Sequence, residues 1–121
     1  MSDRKSLRET DPEFMERFEH FALREVPEEE GQELDGSTRY LAILATLLGC
    51  QGTDAFRELL PDALDAGVTP VMVKETVYQA VDYLGMGRVR SFLDIVNEVL
   101  TERGVKLPLE GQATTTMEDR L

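Results

Sequence analysis

The run Leu64-Asp65-Ala66-Gly67-Val68-Thr69-Pro70 is a helix end and a helix start with almost nothing between them. Glycine enters the left-handed region at little cost, so Gly67 suits the position that closes a helix. Thr69 can accept from the orphan amides of a first turn, and Pro70 fits that turn because its missing amide would have gone unpaired there. Working outward, apolar residues recur at helical spacing on both sides. Phe56, Leu59, Leu60, Ala63 and Leu64 form the stripe before the break, and Val73, Val77, Ala80, Val81 and Leu84 the stripe after it. The downstream helix runs into Gln79-Ala80-Val81-Asp82-Tyr83-Leu84-Gly85 and stops at Gly85 or Gly87. So short a connection predicts that the two helices run antiparallel.

The same reading extends to both ends. Asp11, Pro12 and Glu13 predict a first helix capped by the Asp11 carboxylate, with Phe14, Met15, Phe18, Phe21, Ala22 and Leu23 as an apolar stripe that must cover something. The run from Pro27 to Gly31 breaks it, and the acidic connection to Asp35-Gly36 reads as solvated. Ser37 is the expected cap of a second helix whose Tyr40, Leu41, Ile43, Leu44, Leu47 and Leu48 leave almost no polar face. Gly49 and Gly52 end it, and Thr53 or Asp54 is the expected cap of the third. Pro61 lacks the amide that would bond Arg57 and clashes with that carbonyl, so a kink or break is expected at Leu60. Val89, Phe92, Leu93, Val96, Val99 and Leu100 line a fifth helix that stops near Gly104. The expectation is an all-α, single five-helix domain over residues 11–106. Residues 1–10 are expected to be a flexible N-terminal segment and 107–121 a polar C-terminal tail, mobile or lying on another subunit.

Composition narrows the partners. The chain of 121 residues is one domain by length, and 41% hydrophobic residues make it globular. Its 24 acidic against 13 basic residues give a formal charge of −11, which argues against a nucleic-acid partner and against an anionic membrane surface. No apolar run approaches the ~20 residues of a membrane span. A single cysteine, Cys50, has no internal disulfide partner, and no basic-then-apolar leader opens the sequence, so a cytoplasmic location is expected. His20 has no second histidine or cysteine at a ligand spacing, so no metal site is expected, and no nucleotide fingerprint accompanies Gly85-Met86-Gly87, so no cofactor is expected either.

The order of these features, an apolar helix ending at Leu48-Gly49-Cys50, the Gly67-Val68-Thr69 break and the Gln79 to Tyr83 to Gly85 helix end, resembles the carboxymuconolactone decarboxylase family of the alkylhydroperoxidase D-like superfamily. The resemblance covers more than half the chain and implies a ring-like helical homo-oligomer, a trimer or hexamer. Redox-active relatives carry a cysteine pair and a following histidine at positions that fall here on Gly52, Ala55 and Leu59. None of these can supply a thiolate, so thiol peroxidase activity is disfavoured. The decarboxylase branch keeps the histidine, and leucine cannot act as its acid. Glu58 is the nearest ionisable group, about 100° around the helix from Leu59, and is a candidate catalytic acid if Pro61 distorts the turn. Its other reading is a surface carboxylate at a helix start.

Four polar matches to the decarboxylase branch survive: Arg39 in the second helix, and Glu75, Gln79 and Tyr83 at intervals of four in the fourth. Arg39 can grip a carboxylate, while the Gln79 amide and Tyr83 phenol can hold or protonate a lactone oxygen. The same side chains also serve as an ion pair, an interhelical hydrogen bond and an interface tyrosine. Cys50, at a helix end whose dipole raises a thiol pKa, reads as inert filling or as pocket lining beside Phe56 and Leu59. The resemblance thus implies a lyase for a small carboxylated lactone or related acid in aromatic-compound breakdown. The alternative is a non-catalytic ligand-binding or assembly member that has lost the reactive residues. The enzyme reading predicts that Cys50, Phe56, Leu59, Gln79 and Tyr83 converge on one apolar cavity, with Arg39 at one end, close to a subunit boundary.

Overall fold

All regular structure in the computed structural model, which describes residues 5–110 and 112, is helical. The chain divides into two compact units, Met1–Leu34 and Asp35–Leu121.

The first unit holds α1 (Leu7–Thr10), α2 (Pro12–His20), a π turn (Phe21–Glu25) and α3 (Val26–Glu28). Residues 7–10 are therefore helical rather than frayed, with the Ser6 hydroxyl accepting from the Glu9 amide at 3.3 Å. Pro12 sits in the first turn of α2 as expected, but Asp11 does not cap it. Its carboxylate instead accepts from the Thr10 hydroxyl at 2.7 Å. Arg8 bonds Glu19 at 2.7 Å, tying α1 to α2. The apolar stripe divides: Met15 is buried, whereas Phe14, Phe18 and Phe21 are 68%, 55% and 57% exposed. The helical path ends at Glu28, where Glu29 turns extended, and Gly31 adopts φ +91°.

The second unit is built from α4 (Gly36–Gly49), α5 (Thr53–Asp65), α6 (Pro70–Leu84) and α7 (Met86–Glu102). Asp35, not Ser37, caps α4: its carboxylate accepts from the Thr38 amide at 2.8 Å and from the Ser37 hydroxyl at 3.0 Å. The Thr38 bond is the main reason the Asp35 carboxyl titrates below its ordinary range. Gly52 occupies the cap position of α5, and neither Thr53 nor Asp54 makes a capping bond there. A Cβ on Gly52 would meet Leu47 Cδ2 at 3.1 Å, a tight contact that the leucine side chain would have to relieve.

Pro61 does not break α5, which runs as one helix from Thr53 to Asp65. The lost backbone bond is offset by packing on either side of it, where Leu60 and Ala63 are wholly buried. At its end the sequence expectation holds in detail. Gly67 adopts φ +106°, its amide bonds Leu64 O at 3.2 Å, and the Val68 amide bonds Ala63 O at 3.1 Å. This is the Schellman pattern, completed by apolar contact between its flanking positions, both of them buried here. Thr69 then caps α6 by accepting from the Met72 amide at 3.1 Å, while the Met72 thioether accepts from the Thr69 amide, a role usually taken by glutamate.

Packing follows two hairpins, α4 with α5 and α6 with α7, laid so that α4 meets α6 and α5 meets α7. The short Gly67–Thr69 connection does not make α5 and α6 a principal packed pair, because each of those helices is held by the other hairpin. Phe56 of α5 and Phe92 of α7 meet edge to face at 5.1 Å in the core, among Leu44, Leu48, Leu60, Val77 and Val96. Arg57–Glu98 at 2.9 Å and Asp65–Arg103 at 2.7 Å lace the outer edge of the α5–α7 contact. The segment after α7 is not a free tail at its start. Leu109 is buried, and the Gln112 amide donates to the Tyr78 hydroxyl at 2.7 Å. The rest of the expected tail, residue 111 and 113–121, lies outside the described residues.

Candidate functional site

Between α4 and α6 the second unit leaves an open, mostly apolar groove of about 600 Å³. Its α4 wall is Thr38, Leu41, Ala42, Ala45, Leu48 and Gly49, and its α6 wall Thr76, Gln79, Ala80, Tyr83 and Leu84. Recurrence at three and four residues places each set on one helix face. The trough exists because small side chains, Ala42, Ala45 and Gly49 against Ala80, stand where larger ones would close it. Leu48 is buried beneath, and the polar atoms are supplied by Thr38, Thr76, Gln79 and Tyr83. The Thr76 hydroxyl is already used, donating to Met72 O at 2.8 Å. Gln79 and Tyr83 are exposed, Tyr83 by 89%, so both polar tips reach water from the groove rim.

The structure brings some of the expected site residues together and separates others. Gln79 and Tyr83 share the groove. Arg39 is half-buried and follows Thr38 at one end of the α4 wall, close enough to Asp35 to lower that carboxyl. Cys50 follows Gly49 at the other end and is exposed, not filling, with its thiol 3.7 Å from Leu47 O. Glu75 is exposed and precedes Thr76 without lining the groove. Phe56, Glu58 and Leu59 belong to α5, which forms neither wall. Phe56 is wholly buried against Phe92, and Glu58 and Leu59 are half-buried. The expected meeting of α5 with Gln79 and Tyr83 in one cavity is thus not present in the groove, because α5 packs on α4 and α7.

Gly52, Ala55 and Leu59 bring no thiol or imidazole to any surface, and among the described residues no group of three or more histidine, cysteine or carboxylate side chains could hold a metal ion. The sequence model of the carboxymuconolactone decarboxylase family matches residues 12–98. The chain belongs to the carboxymuconolactone decarboxylase family. The match spans most of the chain and takes in α2, α4 to α6, most of α7 and the whole groove. No curated protein and no solved structure gives a match.

Sequence reasoning missed Thr38, Ala42, Ala45 and Ala80 as groove residues. The signal was present in α4, where small residues stand on one face of an otherwise leucine-rich helix. It also missed Lys74, a buried lysine on α6 whose ammonium donates to Asn97 Oδ1 of α7 and is shifted below its ordinary pKa by desolvation. Two further depressions carry less chemistry. One of about 810 Å³ runs along the charged side of α2, and one of about 510 Å³ lies between Pro70-Val71 and the segment Val105–Glu110.

Proposed function

We propose that this family member is a carboxy-lyase-like enzyme acting on a small carboxylated lactone or related acid of aromatic-compound breakdown, and that the α4–α6 groove receives the substrate. The observation that carries the reading is the placement of Gln79 and Tyr83, two of the polar matches to the decarboxylase branch, in the same apolar trough. A volume of about 600 Å³ falls within the usual range for small-molecule sites.

The chemistry asked of the groove is modest. When the bond to the departing carboxylate breaks, its electron pair moves into the lactone as an enolate, carbon dioxide leaves, and a proton must reach carbon. The Gln79 amide and Tyr83 hydroxyl can donate to the enolate oxygen, where a donor aimed at developing charge contributes most. The Tyr83 phenol can also deliver a proton, taking the place of the histidine that Leu59 replaces. Arg39 holds a carboxylate at the α4 end, and Cys50 follows Gly49 at the other. The leucine and alanine lining favours a ligand whose remaining surface is apolar. We further propose that the working form is a homo-oligomer, a trimer or hexamer, which would cover the groove and exclude water from a rim that is open in the single chain.

The test is conversion of carboxymuconolactone by purified protein, with product detection and a parallel binding measurement. Turnover supports the enzyme reading. Saturable binding without product would replace it by ligand binding alone.

A further inference from the structure

Met72 stands three residues after the α6 cap, the position from which a glutamate or glutamine ordinarily reaches back to the cap amide. Its thioether takes that part here, accepting from the Thr69 amide at 3.4 Å, while the Thr69 hydroxyl accepts from the Met72 amide at 3.1 Å. Sulfur is a weak acceptor, so this half of the box is weakly made. The Met72 side chain is 39% exposed, and both bonds lie within a single turn of chain. A thioether within reach of solvent is open to oxidation to the sulfoxide.

We propose that Met72 is a site of reversible oxidation by hydroperoxides, and that its sulfoxide caps α6 more firmly than the thioether does. In the reaction a sulfur lone pair attacks one peroxide oxygen, the O–O bond breaks and an S–O bond forms. Sulfur gives up two electrons. The other oxygen takes the proton of the attacked one and leaves as water, or as an alcohol from an organic hydroperoxide. The product suits the box. In the sulfoxide the oxygen is carried on the δ atom, as the carbonyl oxygen is in glutamine, so rotation about Cγ–Sδ brings a strong acceptor to the Thr69 amide. That oxygen also sets the negative end of the S–O dipole at a helix start, where negative charge is favoured. Met15 differs because it is 8% exposed, and a sulfoxide there would be a polar group in a buried place. Met86 is 48% exposed but is the first residue of α7, next to the Gly85 cap, so its oxidation completes no box. The inference does not rest on the ligand proposed for the groove.

The experiment treats the full chain with hydrogen peroxide and stops the exposure while Met15 is unmodified. Tryptic peptides 58–74 and 75–88 carry Met72 and Met86 separately, so mass spectrometry reads each of them. Met72 is expected to gain one oxygen alongside Met86 and ahead of Met15. Urea unfolding then compares treated and untreated wild type with treated and untreated Met72→Leu, which takes the same oxidation at every other methionine. Oxidation is expected to raise the wild-type midpoint by about 0.3–0.5 M relative to that control, the shift of a moderately improved cap at an ordinary unfolding slope. Met72→Gln should raise the untreated midpoint by a similar amount. Methionine sulfoxide reductase should return the oxidised wild type to its starting midpoint. Met72 left unmodified while Met86 is oxidised overturns the inference. So does a midpoint that falls or stays level when Met72 is oxidised, one that reduction does not restore, or a Met72→Gln midpoint no higher than the wild type's.

Discussion

Replacing Phe56 separates a core residue from a ligand-contacting one, the two roles that its position near the start of α5 could serve. The ring is wholly buried and meets Phe92 edge to face at 5.1 Å, joining α5 to α7. Phe56→Ala removes a full aromatic side chain from a closed site, a change that costs about 3–5 kcal/mol including the cavity it leaves. Phe56→Leu keeps most of the volume and loses the ring pair, worth about 0.5–1.5 kcal/mol, with a small shape penalty. Urea unfolding followed by circular dichroism reads both. At a slope of about 2 kcal/mol/M, the alanine variant should lose about 1.5–2.5 M in midpoint and the leucine variant under about 1 M. Ligand affinity of the folded leucine variant should equal that of the wild type, since Phe56 lines no part of the groove. A Phe56→Ala loss below about 0.5 kcal/mol, the range of surface substitutions, would refute this packing. So would a large affinity change in Phe56→Leu at unchanged stability.

Other outcomes follow from single residues. Thr69→Ala should cost about 1 kcal/mol through loss of the α6 cap, measured by the same unfolding assay, whereas Ser37→Ala should cost less because Asp35 does the capping at α4. Lys74 is held below its ordinary pKa, so between its folded pKa and the unfolded value of about 10.4 the unfolded chain binds more protons and stability rises with pH. The wild-type minus Lys74→Met difference in unfolding free energy should therefore grow in favour of the wild type across that window; a flat difference contradicts the buried ammonium. For Asp35 the sign is the same, in the acid range. Its lowered carboxyl stabilises the fold above the unfolded pKa, and the wild-type advantage over Asp35→Asn should vanish as pH falls through the folded value.

Local chemistry was legible in the sequence, and non-local choice was not. Gly67, Val68, Thr69 and Pro70 fixed a boundary because a left-handed glycine, a threonine cap and a first-turn proline each need only their neighbours. Where two residues competed for one role, sequence could not choose. Ser37 and Asp35 are both good caps, and the carboxylate took the amide while the hydroxyl bonded to it. Pro61 read as a break because the rule is local, yet burial on either side holds α5 together. The stripe of α2 was visible, but periodicity does not say that its phenylalanines stay exposed or that a π turn follows. For the site, the spacing of Gln79 and Tyr83 was legible along one helix. The α4 wall opposite them depends on which hairpin α4 packs against, and that information lies in contacts between helices remote in sequence.

The most direct test of the proposed site is a steady-state assay on carboxymuconolactone comparing wild type with Tyr83→Phe. Tyr83 is 89% exposed, so removing its hydroxyl leaves folding untouched and isolates chemistry. The account predicts turnover by the wild type and a fall in kcat of about 100-fold in the variant, the loss typical of one donor to developing charge, with KM changed far less. Equal kcat in the two proteins, or bound ligand with no product from the wild type, would contradict it.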